Sequence, residues 1–251
     1  MATGRRPERV AEALGGEQAG LLATALDITA PDAAEAAVQA AVDRFGRIDV
    51  LVDNAADFYA GFREELSSTQ VRARIETNLS GPTNFTRAVL PVMRAQRSGH
   101  VITVSSLAGA VGVDLCVACS AAEFGVEGLM ETLHHDVEHF GIRTTIVEPG
   151  FFRTELLVDA STTYADGSID DYAERTAATK KQGEEMNGRQ PGDPAKLADA
   201  LLEVSGLEQP PLRFVAGDDC LAAVEVKAEQ LLDQVEASRE LGSGLAHTDA
   251  S

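Results

Sequence analysis

The sequence predicts an α/β fold in which helices cover a parallel β-sheet, and three observations lead to this prediction. Short apolar runs typical of buried strands alternate with longer stretches of helical periodicity, an order that favours a parallel sheet. The chain has 251 residues, enough for one domain with a full core. Hydrophobic residues make up 44% of it and aromatic residues only 5%, as expected where small side chains let helices pack closely on a sheet.

Strands and helices are predicted in alternation along the chain. The best-defined helix runs from Pro31 to Phe45, because a proline begins it, Gly46 ends it and apolar residues recur between them at helical spacing. In chain order the predictions are a strand over 20–28, this helix, a strand over 49–52, a mostly helical stretch over 67–98 interrupted around Gly81-Pro82, a strand over 100–105, a helix over 118–140, a strand over 143–147, a helix over 194–204, a strand over 212–216 and a helix over 220–241.

Two further segments lack a clear period. Residues 151–193 are polar and rich in glycine, which predicts a loop, and residues 242–251 are predicted to form a polar tail. The chain contains no internal repeat and no long low-complexity linker. We therefore expect a single domain over residues 1–251.

Charge and composition argue against several functional classes. The net charge of −19 and the pI of about 4.5 disfavour binding to nucleic acid or to an anionic membrane. No apolar run reaches the length of about 18 residues typical of a membrane span, and no apolar stretch follows the N-terminal arginines as in a signal peptide. The three cysteines cannot all pair, which favours a reducing, cytoplasmic location.

The most specific motif is the spacing of Ser106, Cys119 and Glu123. The segments Val104-Ser-Ser-Leu-Ala-Gly and Cys119-Ser-Ala-Ala-Glu123-Phe resemble the active-site stretch of the short-chain dehydrogenase/reductase family. In that family a serine is followed at these intervals by the tyrosine and the lysine of a Tyr-x-x-x-Lys motif. Here Cys119 stands at the tyrosine position and Glu123 at the lysine position.

This resemblance covers nearly the whole chain and carries several expectations. It implies a Rossmann-like, doubly wound parallel sheet with helices on both faces. It implies NAD(P)-dependent oxidation or reduction of a small carbonyl or alcohol compound, in a homo-oligomer. It also implies that Ser106 orients the substrate oxygen and that Asn78 holds a water molecule.

The two replacements change what these positions can do. A cysteine is shorter than a tyrosine by most of a ring, whereas proton transfer requires contact at about 2.6–3.2 Å. Glu123 lies one helical turn after Cys119, so its charge should raise the thiol pKa against the opposing helix N-terminus. We expect a mostly protonated Cys119 and weak hydride transfer. The alternative is a non-catalytic scaffold or pseudoenzyme that partners an intact relative.

Two positions near the N-terminus resemble residues that hold the adenosine end of the cofactor. Arg5 and Arg6 resemble the basic residues that bind the 2′-phosphate of NADP, although exposed arginines at a helix start are an equal alternative. Asp27 resembles the aspartate that hydrogen-bonds the adenine. Its alternative role is that of a turn residue after a strand.

Two later motifs resemble other parts of the cofactor site. Asp53-Asn54-Ala55-Ala56 resembles the family's Asn-Asn-Ala-Gly run, with Ala56 in place of the flexible glycine. Pro149-Gly150 together with Thr154 resembles the segment that holds the nicotinamide carboxamide. These matches imply that Asn54, Ala55 and Thr154 contact the cofactor.

The family's glycine-rich turn has no counterpart in this sequence. Nothing like Gly-x-x-x-Gly-x-Gly precedes a helix, so the sequence predicts that the first βα unit is missing and that NAD(P) binds weakly. In the family's strand order, 3-2-1-4-5-6-7, this unit supplies the central strand. Four expectations remain open: the gap closes by direct pairing, a partner supplies a strand, the chain is unstable, or the reading frame extends upstream.

Two remaining clusters are interpreted as structural. Cys116-Val-Ala-Cys119 has the spacing of redox and zinc sites, but no second cysteine pair accompanies it, and coincidence is favoured. His134, His135 and His139 fall on the solvent side of their predicted helix. No metal site is expected.

Overall fold

The computed structural model of the protein describes residues 1–16, 18–158 and 161–247. Its strands are β1 (Ala2–Gly4), β2 (Ala23–Ala25), β3 (Val50–Asp53), β4 (Phe58–Ala60), β5 (Gly99–Val104), β6 (Ile142–Pro149), β7 (Thr162–Tyr164) and β8 (Arg213–Ala216). Its α-helices are α1 (Pro7–Ala13), α2 (Pro31–Phe45), α3 (Ser68–Ile75), α4 (Gly81–Gln96), α5 (Leu107–Ala110), α6 (Val117–Val137), α7 (Asp170–Met186), α8 (Pro194–Gly206) and α9 (Asp218–Gly242). A π-helical turn occupies Glu76–Ser80, and 3₁₀ turns occupy Glu138–Phe140 and Glu155–Leu157.

A four-stranded parallel sheet with the order β3-β5-β6-β8 forms the centre of the molecule. Two smaller parallel pairs, β1-β2 and β4-β7, lie beside it. The main apolar core packs between this sheet and its helices, with fully buried side chains that include Met93, Val101, Met130, Ile142 and Ile146. The predicted α/β fold with parallel strands and covering helices is confirmed.

The helix α2 forms where the sequence predicts it. Pro31 occupies its first turn, where no backbone N–H is needed, and Gly46 adopts the left-handed conformation after its last turn, with φ of 77°. The buried residues Ala34, Ala37, Val38 and Ala41 follow helical spacing. They place one face of α2 against α4 and the core.

The predicted interruption near Gly81 takes the form of a π-helical turn between α3 and α4. The α3 helix begins with a capping box, in which Ser67 and Gln70 satisfy each other's backbone N–H groups. A side chain at Gly81 would place its Cβ 2.8 Å from Ile28, so glycine permits α4 to approach that residue. The π turn turns Asn78 into the protein interior.

The helix α6 carries the Cys119 and Glu123 positions on its buried face. It begins after Cys116, and the chain leaves its 3₁₀ extension at Gly141, which adopts φ of 71°. Leu133 and Val137 point into the core, and His135 and His139 are exposed as predicted. His134, predicted on the solvent side, is half-buried because its ring hydrogen-bonds to the Thr144 hydroxyl at 2.9 Å. Among the described residues, no helix combines the length and the apolar character needed to cross a membrane.

A groove of about 690 Å³ lies between β1 and β3, and both strands line it. Within the described residues β1 pairs with β2 and β3 pairs with β5, so β1 and β3 do not pair with each other. Val50 and Val52 are 39% and 47% exposed, although they belong to a strand of the central sheet. The gap expected from the sequence is therefore not closed by direct pairing of these strands.

The segment over 151–193, predicted as a loop, contains the short strand β7 and the 17-residue helix α7. No residue of α7 is buried, so the helix lacks the apolar stripe by which sequence patterns are recognised. Instead, Tyr172 stacks on Phe62 with ring centroids 4.4 Å apart, and Arg175 pairs with Asp114 at 2.7 Å. Residues 159–160 of this segment and 248–251 of the predicted tail lie outside the described residues.

Candidate active site

The buried side chains of α6 face α3, the π turn and β4, and this junction brings three of the predicted catalytic residues together. Cys119 and Glu123 lie one turn apart on α6, and Asn78 reaches them from the π turn. All three are buried. The sequence spacing therefore corresponds to a real cluster of side chains.

Arg74 on α3 is the member of this cluster that sequence reasoning missed. Its Nη2 donates to Glu123 Oε1 at 2.8 Å and its Nη1 to Asp57 Oδ1 at 3.2 Å. Its side chain is almost fully buried. The sequence does show an arginine four residues before Asn78, a spacing that puts both side chains on one side of a helix. Only the tertiary structure shows that this side faces inward.

Asn78 is fully engaged in fixing the cluster. Its Nδ2 donates to Glu123 Oε1 at 3.1 Å, and its Oδ1 accepts from the backbone N–H of Asp57 at 3.2 Å. The same carboxylate oxygen of Glu123 therefore receives hydrogen bonds from both Arg74 and Asn78. Burial raises the pKa of Glu123, while Arg74 and Asn78 act in the opposite direction.

Cys119 lies at the centre of this junction. Its thiol donates to the backbone carbonyl of Tyr59 at 3.2 Å, and only 2% of the residue is exposed. A hydrogen bond from Cys116 is the largest cause that lowers the pKa of Cys119 to about 7, and the Arg74 charge acts in the same direction. The pKa of the Cys116 thiol is raised by the same contact.

The prediction of a mostly protonated Cys119 stays a prediction, and the donated hydrogen bond to Tyr59 is consistent with it, but the surroundings of the thiol differ from those that the sequence suggests. Glu123 does act to raise the thiol pKa, as expected from its charge. However, the guanidinium of Arg74 binds Glu123 directly and offsets that charge. The sequence could not indicate this outcome, because Arg74 is distant from Cys119 along the chain.

Ser106 lies beside this junction, at the start of α5, which packs against α6. Its hydroxyl caps α5 by accepting a hydrogen bond from the backbone N–H of Ala108 at 3.1 Å. The residue is half-buried. This contact holds the hydroxyl on its own helix rather than on Cys119.

Two of the proposed cofactor residues lie at the β1 and β2 ends. Arg5 is exposed after β1, close enough to Asp27 to contribute to the lowering of its carboxyl pKa. The larger cause is Thr29, whose backbone N–H and hydroxyl both donate to Asp27 Oδ1, at 3.0 and 2.6 Å. Asp27 thus forms a turn, which is the alternative role that the sequence allowed.

Pro149 ends β6 and Gly150 is the first residue after it. The backbone N–H of Phe151 donates to Asp219 Oδ2 at 2.8 Å, and a Cβ at Gly150 would lie 2.2 Å from the same carboxylate. Glycine is therefore required by this internal contact. Thr154 is exposed and caps its own 3₁₀ turn by accepting from the backbone N–H of Leu156 at 3.3 Å.

Comparisons with known proteins agree with this arrangement. Residues 1–165 match the family model of the short chain dehydrogenases. The oxidoreductase BOA17 of Botryotinia fuckeliana is 33% identical over 244 residues, which cover 96% of this chain and 88% of the relative. The chain belongs to the short-chain dehydrogenase family.

Solved structures extend the comparison to three dimensions. A short-chain dehydrogenase from Streptomyces avermitilis matches with a TM-score of 0.87 and 32% identity, over 97% of this chain and 89% of that one. A second, from Burkholderia phymatum in complex with NAD, matches with a TM-score of 0.76 and 21% identity, over 91% and 82% of the two chains. The latter likeness concerns the fold alone.

In this short-chain dehydrogenase, the residues after β3 lie at the groove. Asn54 and Ala55 are exposed and line it. Asp53 also lines it but is only 2% exposed, and its Oδ2 accepts from the Thr86 hydroxyl at 3.0 Å while its Oδ1 has no hydrogen-bond partner among the described atoms. Burial raises the pKa of Asp53 to about 7.

The residues present fit the NAD(P) expectation only in part. Asn54 and Ala55 line the groove and are exposed, and Arg5 is exposed after β1 but does not line the groove. Asp27 and Thr154 are already engaged in their own turns. Among the described residues, the groove is not lined by a glycine-rich turn that opens a helix and could bind a pyrophosphate. The histidines of α6 are not part of a metal site in the described structure.

A second buried polar group in this short-chain dehydrogenase was not predicted. Arg213 forms ion pairs with Glu127, Glu148 and Glu131, from α6 and β6. Burial raises the pKa of Glu127 to about 7, with the neighbouring Glu148 acting in the same direction. The carboxylates of one helix and one strand thus share a single guanidinium, which ties α6 to the end of the central sheet.

Proposed function

We propose that the protein is an NAD(P)-dependent oxidoreductase of small carbonyl or alcohol compounds whose hydride transfer is weak. The observation that carries the proposal is the Arg74–Glu123–Asn78–Cys119 cluster, which lies where the family resemblance puts the catalytic tyrosine, lysine and asparagine. Bound NAD(P) supplies or accepts the hydride. The residues of this chain then have to orient the substrate and move a proton.

The position of the Cys119 thiol explains why proton transfer is weak. A proton donor must come within about 2.6–3.2 Å of the reacting oxygen. Cys119 is buried and donates to the carbonyl of Tyr59. The Cys119 side chain is short and places its sulfur by rotation about one bond, Cα–Cβ. It therefore cannot extend to a substrate beside Ser106.

The charge of the cluster also differs from that of a Tyr–Lys pair. In place of one lysine cation, the chain carries the Arg74 guanidinium and the Glu123 carboxylate at 2.8 Å. The charges of the two side chains largely cancel each other. Neither side chain carries the ammonium group with which a lysine would bind the ribose of the cofactor. One N–H of the Asn78 amide is bound to the same carboxylate, which fixes the orientation of this side chain.

The cofactor part of the proposal is supported by the residues that remain exposed. Asn54 and Ala55 are exposed at the groove and Arg5 is exposed after β1, which supports contacts with the cofactor, and the family resemblance assigns Pro149-Gly150 and Thr154 to its nicotinamide end. The small number of free donors favours weak binding. The three free cysteines support a reducing, cytoplasmic location.

Isothermal titration calorimetry of NADH and NADPH tests this function on the folded protein. We expect a dissociation constant well above the micromolar range, that is, binding weaker than about −8 kcal/mol. We also expect slow turnover on a panel of ketones and alcohols. Turnover at the rate of ordinary family members would overturn the proposal of weak hydride transfer, and a complete lack of binding would overturn that of a nucleotide site.

The groove favours a second function, that of a non-catalytic scaffold which binds an intact relative. The edges of β1 and β3 that line the groove carry no strand partner within the described residues, and the groove floor is apolar. Free strand edges bind extended segments of other chains through main-chain hydrogen bonds. A strand of a partner chain would cover Val50 and Val52.

The intact short-chain dehydrogenase from Streptomyces avermitilis is a suitable probe for this second function. Analytical ultracentrifugation of the mixed proteins should detect a hetero-complex that Val52→Lys abolishes. Val113→Lys changes another exposed valine, which does not line the groove, and serves as the control. If the two proteins sediment separately, or if both variants behave alike, the scaffold function is wrong.

We also propose that the chain forms a homo-oligomer through α9. This helix has 25 residues but buries only Cys220, and several of its large apolar side chains are exposed: Leu231, Leu232, Val235 and Leu241. Apolar surface of this extent is typical of an interface. Light scattering should report a dimer or tetramer that Leu232→Glu dissociates, and a monomeric wild type would contradict the proposal.

A further inference from the structure

The Cys116-Val-Ala-Cys119 motif, interpreted as coincidence in the sequence, has a specific position in the structure. Cys116 is the N-cap of α6, and Cys119 is the third residue of that helix. The two thiols lie close enough to shift each other's pKa in opposite directions. The 21-residue helix thus begins with two neighbouring thiols.

This geometry suits an intramolecular disulfide. Residues three apart on a helix bring their Cβ atoms to about 5–6 Å, and a disulfide requires about 3.5–4.5 Å between them, so the two residues have to approach by about 1–2 Å. Because the N-cap residue lies outside the regular helix, Cys116 can adjust its backbone without breaking the hydrogen bonds of α6. The remaining approach of the sulfur atoms is a local movement in the first turn.

The electrostatic surroundings favour a thiolate at one of the two positions. Arg74 carries a buried positive charge close to Cys119, and the N-terminus of α6 adds a partial positive charge. Cys116 donates a hydrogen bond to the Cys119 sulfur, which stabilises its anionic form. The pKa of Cys119 is accordingly lowered to about 7, whereas that of Cys116 is raised.

Cys220 provides an internal contrast. It is fully buried at the start of α9, near the carboxylates of Glu148, Asp219 and Glu127. Burial and these negative charges raise its pKa to about 12. The same chain therefore contains a pair of thiols next to a cation and a single thiol among carboxylates.

We propose that Cys116 and Cys119 form a reversible dithiol–disulfide pair that hydroperoxides oxidise. Reactive cysteines of this kind combine a stabilised thiolate with a neighbouring thiol that resolves the first oxidation product. Because Cys119 is only 2% exposed, the oxidant has to be a small molecule such as hydrogen peroxide. Cys116 is half-buried and lies on the outer side of the pair, where a small reductant can reach it.

The oxidation takes place in two balanced steps. The Cys119 thiolate attacks one oxygen of hydrogen peroxide and the O–O bond breaks. The attacked oxygen stays on sulfur as a sulfenic acid, and the other oxygen leaves as hydroxide. The Cys116 thiol then attacks the sulfenic sulfur, and the disulfide forms with loss of water. Two electrons pass from the two thiols to the peroxide, and an external dithiol returns them.

Oxidation would also change the candidate active site. A disulfide directs the Cys119 sulfur toward Cys116 and removes its hydrogen bond to the Tyr59 carbonyl. It also eliminates the negative charge that a thiolate places beside Arg74. The oxidised protein is therefore expected to hold the β4–α6 junction differently from the reduced protein.

Peptide mass spectrometry after peroxide treatment tests the proposal on the full chain. The reduced protein is exposed to hydrogen peroxide at pH 7, remaining thiols are alkylated, and the peptides are mapped. We expect Cys116 and Cys119 in one linked peptide, released by dithiothreitol, with Cys220 still alkylated. Cys119 should be oxidised before Cys220 in the same sample, because the surroundings lower the pKa of Cys119 and raise that of Cys220.

Two variants separate the roles of the pair. In Cys116→Ser the oxidation should stop at a sulfenic acid on Cys119, which dimedone traps. In Cys119→Ser, Cys116 should stay reduced at the same dose. Circular dichroism checks that each variant is folded. The Cys220→Ser variant should still form the linked peptide, which shows that Cys220 takes no part.

Three results would overturn the proposal. The first is a pair that stays reduced at doses which oxidise free cysteine. The second is cross-linking between chains in place of the linked peptide. The third is equal oxidation of Cys220 and Cys119, which would mean that the Arg74 environment has no influence on the thiols. None of these results depends on NAD(P) binding, so they leave the proposed oxidoreductase function independently testable.

Discussion

The Arg74 cluster and the β1–β3 groove differ in how their buried polar groups are paired. In the cluster, the buried carboxylate of Glu123 is bound by Arg74 and Asn78, and among the described atoms only the Nε of Arg74 lacks a hydrogen-bond partner there. At the groove, two strand edges lack a strand partner within the described residues and Asp53 retains an oxygen without a hydrogen bond. Side-chain changes can be offset by other side chains, but backbone edges require another backbone.

The largest effect is expected when the ion pair between Arg74 and Glu123 is broken. Arg74→Met leaves Glu123 buried without its cation, and it should lower the free energy of unfolding by about 3–5 kcal/mol. Urea denaturation at neutral pH measures this change.

The control is the double variant Arg74→Met/Glu123→Met, which removes both charges. It should recover a large part of the lost stability, because a buried ion pair can be replaced by apolar side chains of similar volume. A single variant as stable as the wild type would mean that the Arg74–Glu123 pair contributes nothing.

The next effect tests the uncompensated charge at the groove. Asp53 has a folded pKa of about 7 against an ordinary 3.8, so the folded state holds the proton more tightly than the unfolded chain. This contribution to stability is fully present below pH 3.8 and is lost as the pH rises to 7. Over that range it amounts to at most about 4 kcal/mol.

Asp53→Asn should therefore lower the pH dependence of the unfolding free energy between pH 4 and 7 and make the protein relatively more stable above pH 7. Urea titrations at several pH values measure it, with Asp199→Asn on the exposed side of α8 as the control. Parallel curves for Asp53→Asn and the wild type would show that the carboxyl is not protonated in the fold.

A third prediction restores the family's charge pattern. Cys119→Tyr with Glu123→Lys alone would place a lysine beside Arg74, so the neutral Arg74→Gln has to accompany them. The triple variant should raise kcat/KM with NADPH by about 10–100-fold, since positioned proton transfer is worth about that much or more. Steady-state kinetics compares it with the double variant, which should gain less. If neither the triple nor the double variant has a higher kcat/KM than the wild type, weak cofactor binding is the main cause of the low activity.

The smallest effect compares two valines of the central sheet. Val101 on β5 is fully buried, whereas Val52 on β3 is 47% exposed at the groove. Val101→Ala should cost about 2 kcal/mol and Val52→Ala about 0.5 kcal/mol or less. A large cost for Val52→Ala, measured by the same denaturation experiment, would reveal that another segment covers the groove in solution.

Much of the local structure could be predicted because it depends on neighbours in sequence. The start and end of α2 follow from Pro31 and Gly46, and the inward positions of Leu133 and Val137 follow from helical spacing. The motif around Ser106 identified the family, and its spacing predicted that Cys119 and Glu123 share one face of α6. The helix α7 was missed because its stabilising contacts leave no apolar period in the sequence.

The sequence by itself determined the alternation of strands and helices and the family, and its resemblance to that family singled out Cys119 and Glu123. Only the tertiary structure decided their charge state, because Arg74 reaches Glu123 across 49 residues of chain and Cys116 meets Cys119 only once α6 is formed. The structure also decided that β1 and β3 face each other across a groove rather than pairing. Propensity and spacing act within a few residues, whereas pKa values and strand pairing depend on groups that folding brings together.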